Sequence, residues 1–154
     1  MKHWLMKSEP ETFGIDALAA SPRRTTHWDG VRNFQARNFM RDQMQLGDLA
    51  FFYHSNCEEP GIVGIVKIVK TGYPDSTAFD RDDKHFDADS DPKNPRWYMV
   101  DVKLERKLRR PITLATLREH SNGALRGMAL LQRGNRLSIT PVSAAHWQFI
   151  LDLE

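Results

Sequence analysis

Apolar and polar positions alternate along the chain in two periods, and the changes between them mark the elements. His3 to Ser8 is a short apolar run ended by Ser8-Glu9-Pro10. It reads as a strand, because Pro10 cannot continue a ladder and biases Glu9 toward extended geometry. Lys7 and Ser8 then stand at a strand end, where side chains can point into a cleft. From Thr12 to Ala20 the spacing of Phe13, Ile15, Leu18 and Ala19 predicts a helix, which Ser21-Pro22 ends. Arg23 to His27 reads as a polar connection leading to Trp28. Val31 to Gln43 has helical spacing again, with Phe39 and Met40 on its apolar side. Leu49 to His54 is a strand dense in aromatics, and Ile62 to Val69 is a nearly continuous apolar strand. Apolar side chains at both parities of that second run require cover on both faces. Gly64 within it marks a bend or a close backbone approach.

Tyr73 to Arg96 is long and polar, a length that belongs to functional excursions or to partly disordered segments. Strand character returns from Trp97 to Leu108. Thr113 is placed to cap a helix through about Arg118, and Gly123 to Gln132 holds a further short helix or turn. Arg136 to Thr140 predicts a last strand. Ser143 caps a terminal helix in which Ala144, Trp147 and Leu151 share a face. The expected fold class is α+β: a small bent β-barrel of about five to six strands with flanking helices. At 154 residues, one domain spanning 1–154 is expected.

Composition narrows the setting. No run of 18 apolar residues exists, so no membrane span is expected. The single cysteine, Cys57, excludes an internal disulfide framework and fits a reducing compartment. A cytoplasmic monomer is expected, or a nuclear one if the source is eukaryotic. The net charge of +2 is unevenly spread. Residues 1–74 carry +1, residues 75–95 carry −4, and residues 96–154 carry +5. A basic C-terminal part beside an acidic insert is compatible with a polyanion-binding face, and equally with two solvated surfaces of opposite sign.

Most catalytic chemistries fail on spacing. The six histidines form no HxxxH pair, and one cysteine makes no zinc knuckle. Asp87, Asp89 and Asp91 imitate a calcium loop, yet its sixth position is Pro92 and its twelfth is Tyr98. No GxSxG, GxxxxGK[ST] or GxGxxG segment is present. No metal and no cofactor is therefore expected. Cys57 lies beside Glu58 and Glu59, anions that disfavour a thiolate.

What remains is recognition chemistry, centred on Trp28-Asp29-Gly30-Val31-Arg32-Asn33. An aromatic, a glycine turn, an amide and cations supply stacking, edge hydrogen bonds and phosphate contacts. Trp28 and Trp97 are candidate stacking platforms. Ser8, Asn33, His54, Ser55 and Asn56 are candidate base-edge readers, and Lys7, Arg32 and Arg37 candidate phosphate partners. Trp97 reads equally as a sheet-core ring; on the residues alone His54 reads more readily as a buried histidine with its hydrogen bonds satisfied, and Trp28 as a core ring in an ordinary loop.

Several segments in order resemble EVE-domain proteins. The opening Trp4-Leu5-Met6-Lys7-Ser8-Glu9-Pro10 resembles that family's first motif, and Trp28 to Asn33 followed by Ala36-Arg37 its second. Phe52 to Asn56, Gly61 to Gly64, Tyr73-Pro74-Asp75, Arg96 to Val102, Arg136 to Ile139 and Pro141-Val142-Ser143 continue the likeness. Only the acidic loop Asp80 to Asn94 looks unconstrained. The resemblance implies a PUA-like fold, related to YTH and ASCH domains, and a non-catalytic pocket for a modified nucleobase. Its partner would be DNA carrying a modified cytosine, or RNA carrying a modified base. By position in the motifs Trp28 would be a cage wall, with Lys7 and Ser8 at the entrance. Asn33 would read an edge, and His54, Ser55 and Asn56 would sit nearby. The second cage wall is assigned to Trp97. A small hydrolase acting on a modified base or nucleoside is the alternative, since some ASCH relatives are hydrolases. A protein-interaction module is a third.

Overall fold

The computed structural model describes residues 1–154. Six strands form one sheet: β1 (His3–Ser8), β2 (Thr25–His27), β3 (Leu49–His54), β4 (Gly61–Pro74), β5 (Tyr98–Thr113) and β6 (Ile139–Val142). Their order is β2-β5-β4-β3-β1-β6. Only β1 and β3 run parallel; every other neighbouring pair is antiparallel.

Strand alternation divides the core in two. Trp4, Met6, Ala50 and Phe52 point to one face, and Leu5, Phe51 and Tyr53 to the other. The first face is covered by Ile15 and Leu18 of α2 (Ile15–Ala20), by Ala36 of α3 (Phe34–Asn38), and by Trp28 and Met40. The second is covered by Leu117 of α4 (Leu114–Arg118) and by Trp147 and Ile150 of α5 (Ala144–Leu153). Trp147 stacks on Phe51 at 3.8 Å between ring centroids. Each fully buried large side chain contributes about 1.5–3 kcal/mol.

The α+β class and six strands match the expectation, and the sheet is open. β2 and β6 stand at opposite ends of the order and do not pair with each other. Both edge strands are short, and Pro141 in β6 lacks a donor for a further ladder. Bending comes from register shifts in the β4–β5 pairing around Gly64. A Cβ at Gly64 would lie 2.7 Å from Ile15 Cδ1, so the close approach read from the sequence is made by α2.

Several boundaries differ from the pattern. The first predicted helix is two, α1 (Pro10–Phe13) and α2, because Gly14 is extended at φ −101°, ψ 179°. The next starts at Phe34, where Asn33 caps it, and its last turn widens into a π-helix over Phe39–Gln43. The three polar residues of β2 carry no strand pattern of their own; the strand forms by pairing Thr26 with Val102. No helix is long and apolar enough to cross a membrane.

Candidate functional site

Parallel pairing of β1 with β3 sets Ser8 beside His54, and the end of β1 faces the segment that leaves β2. Between them lies a cleft of about 490 Å³. Its apolar wall is Phe13, Trp28 and Val31. The rest is polar: Lys7, Ser8, Glu9 and Thr12 on one side, His27, Asp29 and Arg32 on another, with Lys84, His85 and Ser138 at the rim.

Trp28 is anchored by its backbone N–H, which donates to Val100 at 2.7 Å. The residue is 8% exposed, and its ring meets Phe52 edge-on at 5.5 Å. The indole is thus mostly set in the core while its remaining surface borders the cleft.

The turn after Trp28 is held from outside. Gly30 has φ +76°, a conformation glycine adopts at little cost. A Cβ there would come within 2.5 Å of the His85 ring, which lies against the glycine. The Gly30 N–H donates to Asp75 at 2.8 Å. Asp75 is fully buried and also accepts from Arg32 and from the Thr77 amide and hydroxyl. Burial pushes its pKa up, but these hydrogen bonds outweigh that and hold it below the usual carboxylate range.

Arg32 lines the cleft, yet it is not a free cation. Its guanidinium donates to the His85 carbonyl twice, to Val31, to Asp75 and to Thr77, which engages all five N–H donors. It is a clamp between the Trp28 turn and residues 75–85.

Four of the ten residues singled out from the sequence meet at the cleft: Lys7, Ser8, Trp28 and Arg32. The others serve internal contacts. Asn33 accepts from the Ala36 N–H as the N-cap of α3, so its amide oxygen is committed to the backbone. His54 Nε2 accepts from the Ile15 N–H at 3.1 Å, and burial lowers its pKa. The Ser55 N–H ties to the Ser8 carbonyl, and Asn56 donates to Glu9 from a φ of +51°. Trp97 is 6% exposed, and its indole N–H donates to Asp87 at 2.6 Å. It stacks on Phe34 at 4.8 Å, and the Arg32 guanidinium lies 5.3 Å from its ring centroid. Arg37 lies over Phe34 at 4.7 Å and donates to Arg96 and Asn38. Arg32, Trp97, Phe34 and Arg37 therefore form one intramolecular stack, and Trp97 is not a wall of the cleft. Phe13, His27 and His85 are the other rings that border it.

A family model for the EVE domain matches residues 2–153. The chain belongs to the EVE-domain family. Chicken thymocyte nuclear protein 1 is 51% identical, over 99% of this chain and 68% of that protein. The crystal structure of the human THYN1 protein in complex with 5-methylcytosine-containing DNA is 49% identical, with a TM-score of 0.95 over 99% of this chain and 97% of that one. A crystal structure of a Pseudomonas syringae protein is 46% identical at a TM-score of 0.92, covering 98% of each chain.

In this EVE domain the acidic loop is far from unconstrained. Asp75, Asp80, Asp83, Asp87 and Asp91 each accept the N–H two residues on, a chain of Asx turns. Those turns deliver Lys84 and His85 to the rim. The signal is present in the sequence as aspartates at close intervals, but only the fold shows which cleft they border. Ser138 is hidden for the same reason: it reaches the site through a backbone bond from Lys7 to its carbonyl.

Proposed function

We propose that this EVE domain is a non-catalytic reader of DNA, and that it accepts a modified cytosine in the cleft beside Trp28. The observation that carries the reading is the cleft itself: Trp28, Phe13 and Val31 on one wall, polar groups opposite, and a volume of about 490 Å³, ample for a nucleobase. Support from outside the chain is its likeness over nearly full length to a human protein crystallised with 5-methylcytosine-containing DNA. A methyl on the base would add apolar contact with Phe13, Trp28 or Val31, about 1 kcal/mol, or roughly tenfold at most.

Phosphates flanking that base need free cations. Arg32 and Arg37 are engaged internally. Arg23 and Arg24, on the turn that enters β2, are exposed and join no ion pair. Both adopt positive φ, 55° and 52°. Arg133 and Arg136, on the turn that enters β6, are exposed and unpaired as well. The first turn leads to Thr26 and His27 of the cleft, the second to Ser138. We assign these four to the DNA backbone.

The test is equilibrium binding of duplexes that differ by one methyl on one cytosine. The methylated duplex is expected to bind several-fold tighter, up to about tenfold. Trp28→Phe, which keeps an aromatic ring in the core, and Phe13→Ala are each expected to narrow the difference between the two duplexes, since both reduce the apolar wall that the methyl would meet, with thermal melting run alongside to establish that each variant is folded. Equal binding of the two duplexes by the wild-type protein would refute the reading.

A further inference from the structure

Two charged groups on the walls of the cleft, Asp29 and Lys7, are left without partners by the fold; Lys84 at the rim is exposed and unpaired as well. Asp29 adjoins Trp28 and lines the cleft. No group of the protein donates a hydrogen bond to its carboxylate; the nearest cation is His27, with Nε2 at 4.0 Å. Lys7 also lines the cleft, and its ammonium joins no ion pair with Asp29 or any other acid. The neighbouring polar groups are occupied: Ser8 donates to Phe13 at 2.5 Å, Glu9 accepts from Asn56, and Arg32 has no donor left.

We propose that Asp29 and Lys7 are the specificity-determining pair of the cleft, reading the edge of cytosine and rejecting thymine. This rests on the reading of the cleft as a base pocket and adds which edge is read. An ionised carboxylate only accepts, and an ammonium only donates. Cytosine presents an amino donor at N4 beside acceptors at N3 and O2, so Asp29 takes the N4 amino group and Lys7 the acceptor side. Thymine carries the same C5 methyl but an acceptor at O4, which would face the carboxylate with no proton between them. A hydrophobic wall reads the methyl and cannot separate 5-methylcytosine from thymine; the charged pair can, because a mismatched edge leaves a buried polar group unpaired. Burial raises the pKa of Asp29, with Asp75 adding to it, and burial lowers that of Lys7. Burial is the largest cause of both shifts; for Asp29 the nearby His27 and His85 oppose it without outweighing it.

The experiment uses short duplexes carrying 5-methylcytosine, cytosine or thymine opposite one abasic position, so that no test base is paired. The wild-type protein is expected to bind 5-methylcytosine at least about tenfold more tightly than thymine. With D29N the ratio is expected to fall within about threefold, because an amide can turn its NH₂ toward O4. D29A is expected to weaken 5-methylcytosine and to tighten thymine, because the acceptor that faces O4 is removed. The Asp29 carboxylate accepts no internal hydrogen bond, so these variants are expected to melt like the wild-type protein, with D29S as the substitute if either does not. A well-folded D29N that keeps the full ratio overturns the role of Asp29 and leaves the pocket reading intact. Equal binding of 5-methylcytosine and cytosine by the wild-type protein refutes methyl reading, while a ratio to thymine that collapses in D29N still upholds the pair. No binding to any of the three duplexes overturns both.

Discussion

The stack of Arg32, Trp97, Phe34 and Arg37 uses the same chemistry that holds a nucleotide: a guanidinium over a ring and a ring over a ring. A residue type suited to a ligand is equally suited to a neighbour, so identity alone cannot assign it. His54 illustrates the same limit, because its acceptor nitrogen is used by the Ile15 N–H. That use has a pH signature. Burial lowers the His54 pKa, so the fold favours the neutral ring. Its contribution is complete above the ordinary imidazole value of about 6.5 and is lost as pH falls below it toward the depressed folded value. His3 is shifted in the same direction by burial and acts alongside. Urea midpoints measured from pH 8 down to pH 5 are expected to decline below about 6.5. His54→Gln keeps an acceptor without titrating, and its decline should be shallower; parallel curves would refute this role.

Among the elements, the chain reaches the site through short pieces whose ends matter more than their middles. Asn33 follows Trp28 within one motif, which suggests an edge reader. Its oxygen instead starts α3, and α3 carries Phe34 and Arg37 into the stack. Asn33→Ala is therefore expected to cost about 1 kcal/mol of stability, the usual effect of removing a cap. Its DNA affinity, measured well below the melting transition, should stay within about twofold of wild type, since a peripheral change away from the ligand contributes little to binding. A tenfold drop in affinity with stability intact would restore the edge-reading role. Most β-strands are legible because each carries a clear apolar run, and the Thr113 and Ser143 caps stand at the positions expected of them. β2 is not, since its stability comes from pairing with β5 and not from its own residues. The acidic loop escapes for a related reason: Asx turns need no hydrophobic pattern.

Across the entire surface, the small net charge conceals an uneven distribution. Part of the basic C-terminal segment is neutralised locally, as Arg96 by Asp87, Arg106 by Glu154 and Lys107 by Asp16. Of the arginines that join no ion pair, Arg23, Arg24, Arg133 and Arg136 are the ones on the turns entering β2 and β6, next to segments that line the cleft. If they meet phosphates, their removal should change binding in a manner independent of the base. The double variant Arg133→Ala/Arg136→Ala is expected to weaken methylated and unmethylated duplexes equally. It should also flatten the slope of log K against log salt by about 0.9 for each phosphate that is no longer neutralised. An unchanged slope would remove that turn from the interface.

Local pattern along the chain was enough to establish the α+β class, the family and most strand positions, and to single out the Lys7–Ser8 and Trp28 segments that line the cleft. The signals are short-range ones: alternation of apolar residues, prolines and caps at element ends, and motifs in order. Which of the candidate side chains remain free is a matter for the folded molecule alone. Hydrogen-bond capacity is finite, and whether Arg32, Asn33, His54 or Trp97 faces a ligand depends on which groups the fold brings within reach. Asp29 and Lys7 stay unpaired because no donor or acceptor of the chain arrives beside them, and no stretch of neighbouring residues encodes that.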